Sequence, residues 1–573
     1  MFKPLPGLVF TTSTFLSINT VVSAQTPPPQ LPPRVPPPPP RPNDSIQVPE
    51  PAPPLIDGPT LPAPSFSPPS PAIETTIFVD GFTFMGNTVF SDEQLLEVAQ
   101  PYLQRNLEFS ELIRLRSQIT DLYIENGYTT SGAFIPIAGN ETIDIRSATV
   151  AIQIIEGTVE GIEFSGDERL VRYVSARLDS AIAPVLNQSK LEESLRLLQL
   201  DPLVESISAN LSAGTQVGSS LLSVAVASPP TFQASIRTDN HRTPSAGSIQ
   251  GETQLEASNL LAMGERLSTS YSATEGSDTF SVGFDLPINA RNGTLSFEYA
   301  QLNGRIVERP LADFDIETES RVYGVSLRQP LIRTASDATL ESFVIGLAAN
   351  RIESETTLAG FPFPLSPGAN EDGKTQITEI SLLQDYTRQN QNSALLVRSQ
   401  FDIGLDAFNA TRGAEPDGQY FLWRGQALWL QKAWGQSQWF IRGDVQLSGD
   451  QLVPLSQFSL GGPTSVRGYR QDAIIADNGL ALTAELDIPL LEDGQAQQLS
   501  LIPFAGTGVG WNNGAARALE NDFLGSVGIG MQYEWDALTA RVNYAIPFTE
   551  TDATGDSLQE DGLDFSLGYQ LRF

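Results

Sequence analysis

Over its last ten residues the chain alternates apolar and polar side chains without a break. Phe565, Leu567, Tyr569, Leu571 and Phe573 share one face of an extended strand, and Asp564, Ser566, Gly568, Gln570 and Arg572 share the other. The same period of two runs through Val527, Ile529, Met531, Tyr533 and Trp535, and through Leu538, Ala540, Val542, Tyr544 and Ile546. From residue 232 to 573 it recurs in sixteen segments, with no helical period between them. A soluble sandwich also alternates, so the facing sets have to decide the solvent. The polar set holds Arg, Glu, Asp and Gly in segment after segment, as a wet interior requires. The apolar set carries aromatics toward segment ends, as a lipid-facing belt requires. Connections alternate in length too. Short ones, such as 288–294 and the turns expected after Pro287, Pro330 and Pro489, contrast with long acidic ones such as 549–562, which holds Glu550, Asp552, Asp556, Glu560 and Asp561. The pattern predicts a mainly β protein whose residues 229–573 form a sixteen-stranded transmembrane β-barrel, with both barrel ends on one side of the membrane.

Upstream the period changes to 3.6. Residues 77–84 read as a strand, Gly86-Asn87 as a turn, and Ser91 with Gln94 as a capping box that opens a helix. A second helix over 110–126 presents Leu112, Leu115, Ile119, Leu122 and Tyr123 on one face and ends at Gly127. Strands near 130–135 and 149–156 close the unit. Residues 157–228 repeat the order: a strand at 159–164, a turn at Gly166, helices near 170–178 and 189–200, and strands near 204–211 and 221–227. Phe84-Met85-Gly86 and Phe164-Ser165-Gly166 fall at the same place in each unit, which predicts a duplicated β-α-α-β-β module, 77–156 and 157–228.

Composition narrows the chemistry. The chain has 573 residues, no Cys, a single His, and a formal net charge of -33, which excludes nucleic acid as a default partner. Without Cys, and with His241 alone, there is no thiolate nucleophile, no metal cluster of several His and no Cys/His dyad; no cofactor, metal or catalytic residue is expected. Residues 1–24 read as a signal peptide, with Lys3 ahead of a mixed apolar stretch and Val22-Ser23-Ala24 as the cleavage site. Residues 25–76 read as a Pro-rich linker. Half of the 42 prolines lie between Pro27 and Pro71, a composition that forms a semi-extended spacer and buries no core. No later stretch is long and apolar enough for a membrane helix, so a membrane span here requires strands.

Between the eleventh and twelfth strand segments stands Phe458-Ser459-Leu460-Gly461-Gly462-Pro463-Thr464-Ser465-Val466-Arg467-Gly468-Tyr469-Arg470, too rich in Gly for an ordinary strand. With this motif the chain resembles the two-partner secretion transporters of type V secretion, the ShlB/FhaC/HecB-like haemolysin secretion/activation proteins. Phe84 to Gly86 and Asn126-Gly127-Tyr128-Thr129-Thr130-Ser131 resemble the polypeptide-transport-associated (POTRA) modules of that family. The resemblance implies that the loop carrying Gly461, Gly462, Val466, Arg467, Gly468 and Tyr469 folds back into the lumen and that an acidic group of the wall holds Arg467. A guanidinium confined in a pore is best met by a bidentate carboxylate, and Gly468 lets the loop tip turn tightly. The chain departs from the family where that carboxylate is usual: in Phe504-Ala505-Gly506-Thr507-Gly508 the position is Gly506. Glu485 and Asp487 on the twelfth segment and Glu534 on the fourteenth are the candidate replacements. The terminal Tyr569, Leu571 and Phe573 resemble the signal read by the outer-membrane assembly machinery.

The resemblance further implies an outer-membrane protein that works as a monomer, with its modules in the periplasm. It would recognise an unfolded, β-helical exoprotein there and thread it to the cell surface, driven by folding outside. The partners expected are that exoprotein, outer-membrane lipid and, during biogenesis, the assembly machinery. The alternative carried forward is an insertase that assembles other barrels. A passive porin leaves the modules without a purpose, and a soluble sandwich enzyme leaves the facing sets unexplained.

Overall fold

The computed structural model describes residues 76–136, 148–182, 184–336, 338–413, 415–493, 497–514, 519, 521–551, 555 and 557–573. The expected signal peptide, all of the Pro-rich stretch but residue 76, and Asp552 and Asp556 of the acidic connection lie outside the described residues. The chain forms two compact units, one ending at Pro229 and the other running from Pro230 to Phe573.

In the first unit, β1 (Ile77–Met85), α1 (Asp92–Ala99), β2 (Arg105–Leu107), α2 (Phe109–Glu125), β3 (Gly132–Phe134) and β4 (Ala148–Ile155) make one module with sheet order β2-β1-β4-β3. Then β5 (Thr158–Gly166), α3 (Glu168–Ile182), α4 (Gln188–Gln199), β6 (Ser206–Ala213) and β7 (Ser219–Ala227) make a second, with order β5-β7-β6. In both, the first strand runs parallel to the last and the penultimate strand antiparallel to it. Each first strand also shifts register at the matching place, between Val79 and Gly81 and between Val159 and Gly161, so the duplication extends to a bulge. The short β2 is an addition of the first module that the hydrophobic pattern did not announce, because three residues carry no readable period.

Local chemistry explains the helix ends. Ser91 and Gln94 form the reciprocal capping box at α1. The face of α2 that carries Leu112, Leu115, Ile119 and Tyr123 is buried against the sheet. The Asn126–Ser131 motif then does more than stop α2. Gly127 has φ +86, and a Cβ there would stand 2.7 Å from Asn187 Oδ1. Its carbonyl accepts from the Gln188 amide at 2.8 Å, Asn187 Nδ2 donates to the Asn126 carbonyl at 3.0 Å, and Ser131 Oγ accepts from the Gly157 amide at 2.9 Å. The motif therefore binds one module to the next through backbone groups that a side chain at Gly127 would push apart.

The second unit is a closed barrel. Its strands are β8 (Phe232–Asp239), β9 (Gln250–Ser258), β10 (Arg266–Ala273), β11 (Ser277–Pro287), β12 (Thr294–Arg305), β13 (Ile316–Ala335), β14 (Thr339–Leu358), the two-residue β15 (Phe361–Pro362), β16 (Lys374–Asn390), β17 (Ser393–Gly404), β18 (Phe421–Lys432) and β19 (Gln438–Ser448). After a small hairpin, β20 (Phe458–Leu460) and β21 (Ile474–Ala476), come β22 (Asn478–Asp493), β23 (Gln497–Trp511), β24 (Phe523–Trp535), β25 (Leu538–Pro547) and β26 (Leu563–Arg572). Leaving aside β15, which only extends β14, sixteen strands form the wall, and β26 pairs with β8 to close it. At the seam Phe232 and Phe573 exchange backbone hydrogen bonds of 3.0 and 2.9 Å and stack their rings. Tyr569, Leu571 and Phe573 face outward, while Asp564 and Ser566 are buried on the inner face.

Two expectations change. Pro330 and Pro489 do not precede turns: β13 and β22 continue past them through register shifts, because a residue without an N–H interrupts the ladder but a bulge lets the strand run on. The inner face is not uniformly polar either. Ala300, Leu302, Val322, Ile352, Ile377 and Leu422 point inward and pack on Leu452, Val453 and Leu455 of the long β19–β22 connection, so part of the lumen is filled by an apolar core.

Candidate functional site: the lumenal loop

The connection from β19 to β22 folds back as the β20–β21 hairpin, and its tip, residues 461–473, carries the arginine motif. Gly461 and Gly462 have φ of +102 and +90; a Cβ on the first would lie 2.6 Å from the Arg470 carbonyl and on the second 2.9 Å from Gln471 Cα. These two glycines let the outgoing and returning chains touch. Ser465 Oγ accepts from the Gly461 amide at 2.9 Å. Val466 is fully buried with Leu460, Tyr469, Ile474, Ala481 and Leu524, which seats the tip against β22 and β24.

Arg467 donates through Nη2 to Glu485 of β22, and its guanidinium stacks 4.5 Å from the Phe504 ring centroid. The second Glu485 oxygen accepts from Arg541 Nη2 of β25 at 2.7 Å. One carboxylate thus faces two guanidinium groups, and the side chain of Glu485 is only 3 % exposed. Charge-assisted bonds in so dry a place are stronger than at a surface, and each group would be costly if left alone. Gly506 stands beside this cluster. A Cβ built on it lies 3.5 Å from the Ser465 carbonyl oxygen and 3.6 Å from Val466 Cα, so the loop backbone occupies the space next to it. The carboxylate comes instead from the neighbouring strand, where Glu485 is registered with Phe504. The other two candidates stand elsewhere on the wall: Asp487 is buried two residues further along β22, and Glu534 accepts from Gln532 Nε2 at 2.7 Å.

Gly468 has φ +88 and backs onto Ala545 of β25, where a Cβ would approach the Ala545 Cβ to 3.0 Å. The Tyr469 hydroxyl donates to the Gly525 carbonyl at 2.8 Å and accepts from the Thr549 amide at 3.2 Å. Four successive residues therefore fasten the tip to β22, β24 and β25, on the wall segment next to the closing strand β26.

Sequence reasoning gave no role to the last residue of the motif or to the one after it. Arg470 Nη2 donates to Glu308 at 2.8 Å and Nη1 to Glu560 at 3.2 Å, which ties the loop to the β12–β13 and β25–β26 connections. The Gln471 amide donates to Gln559 Oε1 at 2.7 Å, and Gln559 Nε2 donates to the Arg242 carbonyl at 2.7 Å, adding the β8–β9 connection. The signal was present as the last Arg of the motif, but its partners lie 162 and 90 residues away and no local pattern announces them. His241, in the β8–β9 connection, lies 3.1 Å from Arg237 Nη2 through Nδ1.

A sixteen-stranded barrel with an inward-folded arginine loop, preceded in the chain by α+β modules, defines an outer-membrane polypeptide transporter. The chain belongs to the haemolysin secretion/activation protein family ShlB/FhaC/HecB, whose profile matches residues 218–533; a ShlB-type POTRA domain matches residues 77–157. It is an outer-membrane transporter of two-partner secretion, with its modules in the periplasm, and the family is one of transporters rather than enzymes. Among its relatives, the outer membrane transporter CdiB of Escherichia coli strain 536 is 23 % identical over 461 residues, covering 76 % of this chain and 73 % of its own. The heme/hemopexin transporter protein HuxB of Haemophilus influenzae strain 86-028NP is 19 % identical over 474 residues, covering 79 % and 80 %. In fold, the chain is similar to Escherichia coli CdiB, with a TM-score of 0.68 at 18 % identity over 89 % of this chain and 92 % of that one. BamA of Haemophilus ducreyi is more distant, with a TM-score of 0.51 at 14 % identity over 86 % and 100 %.

Proposed function

We propose that the resting pore is held by the Arg467–Glu485–Arg541 cluster and that the loop tip leaves the lumen when an exoprotein passes. One observation supports this: side chains attach the tip to the wall, through a small apolar cluster around Val466 and a few polar contacts around buried charges, and not a continuous sheet. Such contacts can be exchanged as a unit, whereas opening the barrel would break a ladder of backbone bonds. Along the lumen, Arg266 pairs with Asp285, Arg398 with Asp385, Arg424 with Asp402 and Arg442 with Asp444, at 2.9, 2.7, 2.7 and 2.6 Å. Each of these four guanidinium groups is met by a carboxylate of the wall, so none is presented bare to a passing chain.

The exoprotein, unfolded and destined to fold as a β-helix outside, would first meet the modules. The eight-residue β6 supports this role, since it pairs with β7 on one side and with no strand on the other among the described residues. An extended segment can add to such an edge through its backbone, which tolerates many sequences. Residues 1–24 would direct export and 25–76 would act as a spacer. The outward row Tyr569, Leu571 and Phe573 would be read by the assembly machinery, and a single chain would form the working pore.

The test compares exoprotein in the medium with transporter in the outer membrane for Arg467→Ala. Secretion should fall while the amount inserted stays the same; normal secretion by this variant contradicts the proposal.

A further inference from the structure

The outer wall carries a crevice that the export path does not use. It has a volume of about 730 Å³ and lies between the outward side chains of β11 to β14 and the loop that follows β17. Successive register partners place Phe297, Tyr299, Tyr323 and Ala349 on one face, and Leu347, next along that face, is exposed. Ala349 and Gly324 line it together with Phe297, Tyr299 and Tyr323.

The other side is built by an unusual piece of backbone. Beyond the end of β17, the chain continues along β16: the Leu405 amide donates to the Thr378 carbonyl at 2.7 Å and the Thr411 amide to the Gln376 carbonyl at 2.8 Å. Between them residues 406–410 bulge away from the sheet. Phe408 and Asn409 at the crest have φ of +54 and +61, a left-handed conformation that a bulky side chain rarely adopts. Phe408 is 81 % exposed and lines the crevice together with Asn409. The bulge is fixed by an ion pair between Asp406 and Arg412 and by Thr378 Oγ1 donating to the Ala407 carbonyl at 2.9 Å.

Height along the wall identifies the occupant. Outward positions of β14 are apolar from Phe343 to Ala349 and become charged at Arg351 and Glu353, so the crevice lies where the lipid-facing belt meets the polar zone. Arg351 donates to Glu353 at 3.1 Å and to Thr378 at 3.0 Å, giving the rim both donors and acceptors. We propose that this crevice holds one acyl chain of a membrane lipid, with Phe408 closing over the chain and the head group at Arg351 and Glu353. Two features support the site: a wall that faces lipid, as the family assignment implies, and a bulged loop that carries an exposed aromatic ring at the crevice. Neither depends on what the pore exports, so the two proposals fail separately.

The test uses the full chain, purified in detergent, stripped of lipid and mixed with palmitoyl-oleoyl phosphatidylethanolamine, then released from its micelle in a mass spectrometer. The unaltered protein should keep one lipid. Ala349→Trp, which fills the crevice from the lipid-facing side, should keep about tenfold less, as should Phe408→Ser. Leu567→Trp, on the outward face of β26, should keep the unaltered amount, and heat-dependent gel mobility verifies that all four proteins are folded. No lipid on the unaltered protein, or equal retention when Ala349 or Phe408 is replaced, overturns the proposal.

Discussion

At the scale of single residues, the account turns on one carboxylate. Glu485 faces Arg467 and Arg541, so its removal leaves two buried guanidinium groups against each other. Glu485→Gln should destabilise the folded barrel by about 3–5 kcal/mol, the range for breaking one side of a buried ion pair. Urea unfolding from detergent measures it, and an unchanged midpoint contradicts the clamp. Arg470 makes a different prediction, because its partners Glu308 and Glu560 belong to other connections at the same rim. Arg470→Ala should leave insertion intact and raise the ion conductance of the reconstituted barrel severalfold; an unaltered conductance would show that these bridges hold nothing shut. The arginine loop was legible in the sequence as a motif, but its partner was legible only as three candidates. Alternation says which face a carboxylate occupies and nothing about which neighbour the loop reaches.

At the scale of elements, the modules were readable because a helical period and capping residues are local. Their junction was not. Gly127 looked like a helix stop, and only the folded chain shows its carbonyl accepting from Gln188 of the next module. Glu156 is another tie that no period reveals. It accepts from the amides of Thr88 and Val89 at 2.7 and 2.8 Å and from the Tyr123 hydroxyl at 2.8 Å, joining the turn after β1 to α2. Burial pushes its carboxyl up, but these hydrogen bonds outweigh that and hold it below its ordinary value. A lowered pKa contributes stability at neutral pH that is lost as pH falls below the unfolded value of about 4.3 and through the folded one. Hydrogen exchange on the full chain should therefore show residues 77–134 losing protection below about pH 4. Glu156→Gln should be less protected at neutral pH and change less on acidification; identical profiles for both proteins would remove this tie from the account.

At the scale of the whole molecule, sixteen strands were countable because a closed barrel must alternate in every strand, whatever its neighbours do. The length of those strands was harder to see. β13 and β14 run for twenty residues each, well beyond the apolar stretch, since charged outward positions continue the ladder past the lipid. The apolar core around Leu452 and Val453 was equally hidden, because a rule of polar interiors describes an open channel and this lumen is partly filled. The measurement that tests the central claim most directly compares the proteins released to the medium, and those in the outer membrane, between cells with and without this gene. A dedicated exporter predicts the loss of one or a few large secreted or surface proteins with other barrels unchanged. A broad fall in outer-membrane barrels with secretion intact would contradict that claim and make the chain an assembly factor.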